Sequence, residues 1–470
     1  MNKAILFLLT IYLLPSCRPS QPPIAMEQVV LEHYHTLGDT FKLRAAEFLL
    51  SNMSADKFSY TGVLIEQYDT LFRFQRRLLE AGTLNASHAR LDSMWKALEK
   101  EHGPFNIRRL TVLPDSTNLS AQLLIDNIDQ AVDAWKRSPL YDPQAFDLFC
   151  EHLLPYRVRY EPVEPFRERY RREYGALLDS AKSLKELANR LTRRQRGEGY
   201  DTLRFMRSYP IDIPISKLDL VQRGSCDHIA ILTTLILRAC GYPATMDRAV
   251  WGNRRSGQTW NVLLSPNGEE FPFDVGRDSL EQTYRPAKVW RTTFSGHVDV
   301  TEKYASVYDL ALPVDYPSDS YRDRQKASLC TFDHKNWRPV AQGEVRNDTL
   351  HVARVAADLV YLPAFVNNNR IIPCGAPFIL HTDGRIVPLK NDDQRKQNII
   401  LSRKYLSGDC YELLYWNSFS WRSLGIRVAE YDDRLTYDNV PTGGLYLLHH
   451  LDNDTEERIF TYEKGKQRWW

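Results

Sequence analysis

The run from Ile229 to Cys240 is apolar on nearly every side, interrupted mainly by Thr233, Thr234 and Arg238. A helix without a polar face cannot lie on a surface, so this one must sit inside a layered domain with other elements packed around it. Gly241 follows as a natural C′ residue and Ser225 precedes as an N-cap candidate, which places Cys226 on the first turn. At that position unpaired backbone N–H groups and the positive end of the helix dipole favour thiolate over thiol, as a nucleophilic cysteine requires. Cys240, inside the same run, reads instead as a small buried hydrophobe.

Downstream, Ala244 to Val250 has strand-like content and Trp260 to Leu264 reads as a second strand. Ser265-Pro266-Asn267-Gly268 is a turn signal leading into Glu270 to Phe273. The last two segments therefore form a hairpin, and a short connection sets Asp274 opposite residue 258, 259 or 260. A carboxylate there can orient a group beside the cysteine, where a thiol nucleophile needs its general base.

The blocks R-G-S-C-D-H-I-A (Arg223–Ala230), W-G-N (Trp251–Asn253), G-Q-T-W-N-V (Gly257–Val262) and F-P-F-D (Phe271–Asp274) resemble those of the transglutaminase-like superfamily of cysteine peptidases and acyltransferases. Lipid-anchored bacterial members are the nearest in pattern. Weaker likeness extends to F-C-E-H-L-L-P-Y-R (Phe149–Arg157) and R-P-A-K-V-W-R-T-T-F (Arg285–Phe294). The resemblance implies a papain-like α+β core, with Cys226 as nucleophile and Asp274 as the orienting carboxylate. The family's histidine falls on Gln258.

A glutamine amide holds a hydrogen bond but accepts no proton at a useful pH, so it serves neither as general base nor as general acid. His228 is two residues from Cys226 on a helix and points to another face, while His297 lies downstream and would have to fold back. Two readings follow. In one, the cleft binds a peptide, protein or glycan through Trp251, Asn253 and Trp260 with weak or no turnover. In the other, Cys226 attacks an amide carbonyl and a base other than the family histidine relays the proton. Nothing in the chain calls for a cofactor. No close Cys/His cluster has zinc-ligand spacing, His449 and His450 are adjacent on an expected strand and read as structural, and no calcium loop occurs.

Residues 1–17 combine Lys3, an apolar stretch from Ala4 to Leu14 and a small residue before Cys17, the pattern of a lipoprotein signal. The apolar stretch is too short to span a bilayer, so the expectation is an envelope protein held by acylated Cys17, facing the periplasm, with residues 18–25 as a tether. A formal net charge of +2 and the absence of a basic stripe argue against nucleic acid.

At 470 residues, the chain is long enough for several domains. Residues 26–170 read as helical: Asp39, Ser87 and Ser120 are placed as caps, Asp142-Pro143 as a helix start running to Pro155, and helical periodicity continues from Glu168 to Arg196. Residues 171–300 hold the transglutaminase-like part. After Thr301 short apolar runs alternate with turn signals, which predicts two antiparallel β-sandwiches, 301–392 and 393–470, divided in the polar stretch Lys390–Gln397. Tyr415, Trp416, Trp421 and Tyr446 read as sandwich core in preference to a carbohydrate platform. The fold class is α+β multidomain.

Overall fold

The structure, a computed structural model, describes residues 25–53, 57–104, 106–195, 199–200, 209, 212–253, 257–275, 285–368, 370–402, 407–430, 434–452 and 458–470. The signal segment, Cys17 and the tether up to residue 24 lie outside them. No helix among the described residues is long and apolar enough to cross a membrane. The chain is α+β: a helical N-terminal region, a mixed central part and a C-terminal region of antiparallel sheets.

The helices begin where local chemistry starts them. Asp39 accepts from the Lys42 N–H, Ser120 from Leu123 and Ser183 from Glu186, each satisfying an orphan donor of a first turn. Ser87 precedes the helix His88–His102 but makes no side-chain cap bond. Asp142 starts a turn by accepting from the Gln144 N–H, and the helix itself covers only Phe146–His152. The periodic stretch after Glu168 is two helices, Arg167–Leu178 and Leu184–Arg194.

The apolar run forms the helix Cys226–Ala239, and every residue from His228 to Ala239 is buried. Its three polar interruptions are all paired. Thr234 Oγ1 donates to the Ala230 carbonyl, Thr233 Oγ1 to Gln195 Oε1, and the Arg238 guanidinium to the carbonyls of His152, Ala244 and Arg157. Gly241 (φ 87°) ends it: the Tyr242 N–H reaches the Leu237 carbonyl and the Gly241 N–H reaches Arg238, a left-handed C-terminal cap.

Early in the chain β1 (Phe58–Thr61) and β2 (Thr111–Pro114) form a ribbon, and β3 (Gly199–Tyr200) pairs in parallel with β4 (Arg223–Gly224) just before the buried helix. The helix packs on a five-stranded antiparallel sheet of β5 (Ala244–Trp251), β6 (Gln258–Leu264), β7 (Glu270–Phe273), β8 (Pro286–Thr292) and β9 (His297–Asp299), in the order β7-β6-β5-β8-β9. One apolar core joins this helix to the helices Asp69–Glu80, His88–His102 and Arg167–Leu178, so packing is continuous across residue 170. A second core, including Trp135 and Phe149, holds Met26–Leu37 and Thr40–Ser51 against Ala121–Arg137.

The C-terminal region begins with an eight-stranded antiparallel sheet: β10 (Val307–Pro313), β11 (Lys326–Phe332), β12 (Trp337–Arg346), β13 (Thr349–Ala356), β14 (Leu359–Asn367), β15 (Arg370–Pro373), β16 (Phe378–Leu380) and β17 (Ile386–Pro388). It continues with β18 (Asp392–Ser402), β19 (Cys410–Asn417), β20 (Ser420–Val428), β21 (Arg434–Thr442), β22 (Tyr446–His450), β23 (Ile459–Glu463) and β24 (Lys466–Trp469). Here β18 pairs with β21, and their apolar residues meet those of the sheet β20-β19-β22-β23-β24 in a two-layer core. The polar stretch expected to divide the region is largely the first half of β18, whose side chains are mostly exposed. Trp416 and Trp421 pack edge-on against Trp337 and Phe332, so these aromatics cement the two sets of strands together as core.

Candidate functional site

Ser225 and His228 cap the buried helix reciprocally. The Ser225 Oγ accepts from the His228 N–H at 3.3 Å, and His228 Nδ1 accepts from the Ser225 N–H at 3.2 Å. Burial holds the His228 imidazole below its usual range, and its ring is committed to the cap, away from the cysteine.

Cys226 opens the first turn, partly exposed, and its sulfur lies against β6, where the backbone N–H groups of Thr259 and Asp227 donate to it. The thiol is nevertheless pushed up. Burial is the main cause, and the carboxylates of Asp227 and then Asp274 add to it, outweighing the two donors. The expectation that the helix terminus would favour thiolate is therefore reversed by what surrounds the terminus.

Asp227 was not singled out in the sequence, yet it organises the mouth of the site. Its carboxylate accepts from the Thr259 hydroxyl and faces Arg159 Nη1 at 3.3 Å and Arg248 Nη2 at 3.9 Å. Burial alone would raise it, but Arg159, Arg248 and Thr259 together hold it below the usual carboxylate range. A permanent anion thus flanks the sulfur. The signal lay in the acidic residue directly after Cys226, but its partners come from residues 159 and 248 and only the fold brings them in.

The hairpin meets the expected geometry. Asn261 pairs with Phe273, so Asp274 continues the ladder opposite Trp260 and diagonal to Gln258. Across that diagonal Gln258 Nε2 donates to Asp274 Oδ2 at 3.0 Å. Cys226, Gln258 and Asp274 are thus brought together. The amide donates to the carboxylate and offers the sulfur no basic nitrogen.

All twelve histidines of the chain lie among the described residues. His297 is exposed on β9, three strands away from β6, or roughly 14 Å at ordinary strand spacing. His334 is joined through Nε2 to the Asn253 carbonyl, and the His152 carbonyl accepts from the Arg238 guanidinium.

The expected ligand-binding residues are placed differently from an open platform. Trp251 and Trp260 are 3% and 2% exposed, stack on each other at 6.4 Å between ring centroids, and belong to the core on one face of the sheet. Trp260 Nε1 donates to the Tyr304 hydroxyl at 3.1 Å, and that hydroxyl donates to Asp247 Oδ2 at 2.7 Å. The W-G-N turn is occupied by the C-terminal region. Arg338 Nη2 donates to the Trp251 carbonyl at 2.9 Å, His334 meets the Asn253 carbonyl, and Gly252 lies so close to Leu359 that a Cβ would stand 2.4 Å from it. Asn253 Oδ1 is buried without a hydrogen-bond partner.

Compared with known proteins, the chain matches no family model and no curated protein. Among solved structures it is weakly similar to the crystal structure of red sea bream transglutaminase, at 10% identity and a TM-score of 0.23, over 68% of this chain and 70% of that one.

Proposed function

We propose that the face carrying Cys226 is a transglutaminase-like thiol site that has lost its general base and now holds a peptide, protein or glycan ligand with weak or no turnover. The observation that carries the reading is the Gln258–Asp274 hydrogen bond beside Cys226, where the neighbouring His228 ring is committed to the helix cap. Acyl transfer by a thiol forms a C–S bond to the carbonyl carbon, breaks the C–N bond and expels an amine that must take up a proton. A base has to remove the thiol proton and deliver it to that nitrogen. Gln258 does neither, and a thiol raised by burial and by Asp227 does not ionise readily without help. We further propose that the protein works in the cell envelope, facing the periplasm and anchored through Cys17, on the strength of the signal-like residues 1–17.

The test compares wild type, Cys226→Ala and Gln258→His on a library of peptide amides. The expected result is no turnover above the Cys226→Ala background in wild type and a gain in Gln258→His on the order of 10²–10⁴-fold, the usual contribution of a general base. Cys226-dependent turnover in the wild type equal to or above that of Gln258→His would overturn the proposal and establish a working cysteine amidase with another proton relay.

A further inference from the structure

Away from the helix of Cys226, where β19 begins and β22 ends, Asp409 meets His450 and Asp452 from a stretch of chain some 41 residues earlier. Tyr411 pairs with His450, and the Leu451 N–H donates to the Cys410 carbonyl at 2.9 Å, so the ladder runs on and sets Asp409 directly across from Asp452. Like charges facing each other across a ladder destabilise it. Among the described residues no lysine or arginine pairs with either carboxylate.

An imidazole joins them. His450 Nε2 is 2.8 Å from Asp409 Oδ2, and the ring is stacked on Tyr411 at 4.5 Å with an interplanar angle of 14°. Its side chain is only 9% exposed, so this nitrogen is held against the carboxylate pair by a packed ring. One nitrogen of His450 and one oxygen from each carboxylate lie within 4.8 Å of one another. Asp452 also receives the Cys410 N–H at 2.5 Å, which fixes the second carboxylate at the strand end.

We propose that Asp409, His450 and Asp452 form a binding site for a divalent cation, with Zn²⁺ as the best match. One imidazole nitrogen and two carboxylate oxygens are ligands Zn²⁺ accepts, and three protein ligands leave its fourth position to water. The ion turns a repulsive pair of carboxylates into a cross-strand clamp between β19 and β22. Closing onto it requires the ligand atoms to draw in to Zn–ligand distances of about 2.0–2.2 Å. The exposed Asp452, at a strand end, has room to supply that movement.

The test is isothermal titration of Zn²⁺ alone into the intact protein, alongside His450→Gln, Asp452→Asn and Cys410→Ser. One equivalent should bind in wild type and in Cys410→Ser. His450→Gln and Asp452→Asn should each weaken it by a factor of at least about 10, since even an outer partner of a metal ligand carries that much. The Asp452→Asn change keeps an oxygen for the Cys410 N–H, so a metal-free melting curve like that of wild type separates lost ligation from lost folding. Absence of saturable binding in wild type, binding that persists in His450→Gln, or binding that disappears only in Cys410→Ser would each overturn the proposal.

Discussion

Replacing Gly241 by alanine separates two costs that the structure places on one residue. Gly241 has φ 87°, and a Cβ built there lies 2.2 Å from the Ala134 carbonyl oxygen and 2.8 Å from its carbon. Both are backbone atoms in the last turn of the helix Ala121–Arg137, so no side chain can rotate away. The left-handed backbone alone costs an alanine about 1–2 kcal/mol, and forcing two packed backbones apart adds roughly 1–3 kcal/mol. The sum, about 2–5 kcal/mol, is a large share of the 5–15 kcal/mol that holds a typical domain together. Gly38 is the internal control, because its φ is 66° and nothing stands within 4 Å of its Cβ position, so Gly38→Ala bears only the first cost. Urea unfolding followed by far-ultraviolet circular dichroism and tryptophan fluorescence reads both variants, with Trp135 reporting from the neighbouring helix. Gly241→Ala should unfold at distinctly lower urea than Gly38→Ala. Equal midpoints would refute the close approach of the two helices, and with it the way the helix carrying Cys226 is seated.

Two further outcomes follow from charges near the site and beneath it. Cys226 should react with iodoacetamide at pH 7.5 more slowly than free cysteine, and Asp227→Asn should speed it by removing the nearest raising charge; a wild-type rate above that of free cysteine would contradict the assigned environment. His152 is pushed down to about 3, chiefly by burial and then by Arg238 and Arg291. A histidine depressed in the folded state is neutral there and charged in the unfolded chain below about pH 6.5. Its contribution is therefore complete above that pH and is lost as pH falls toward 3. The slope of stability against pH over that interval should decrease by about one proton in His152→Asn relative to wild type; an unchanged slope would mean that the imidazole is not held neutral.

Much of the central architecture was legible because it is written locally. The apolar run, Ser225 ahead of it and Gly241 behind it describe one helix with both ends marked. The hairpin after it was readable from alternation and a turn signal, and Gln258 and Asp274 followed from register. What sequence could not supply were contacts made at long range. The state of the Cys226 thiol depends first on how deeply the thiol is buried and then on Asp227, whose charge is held by cations contributed by residues 159 and 248. Trp251 and Asn253 carried the residue types of a recognition loop, but their surroundings include Arg338, His334 and Leu359, some ninety positions on. Polar Lys390–Gln397 resembled a linker because an exposed strand and a linker share a composition. Asp409 and His450 are separated by 41 residues, a gap that no ligand-spacing pattern spans.

The hydrogen bonds from Arg338 and His334 to the carbonyls of Trp251 and Asn253 have a practical corollary for anyone cutting the protein into pieces. A fragment ending near residue 300 would retain Cys226, Gln258 and Asp274 yet leave the rim preceding Gln258 stripped of its outside support. Two peptide oxygens would have to be re-solvated and the Leu359 contact with Gly252 would be lost. An inert fragment would therefore say nothing about the intact chain, and catalytic assays belong on a preparation that keeps the strands beyond Val307.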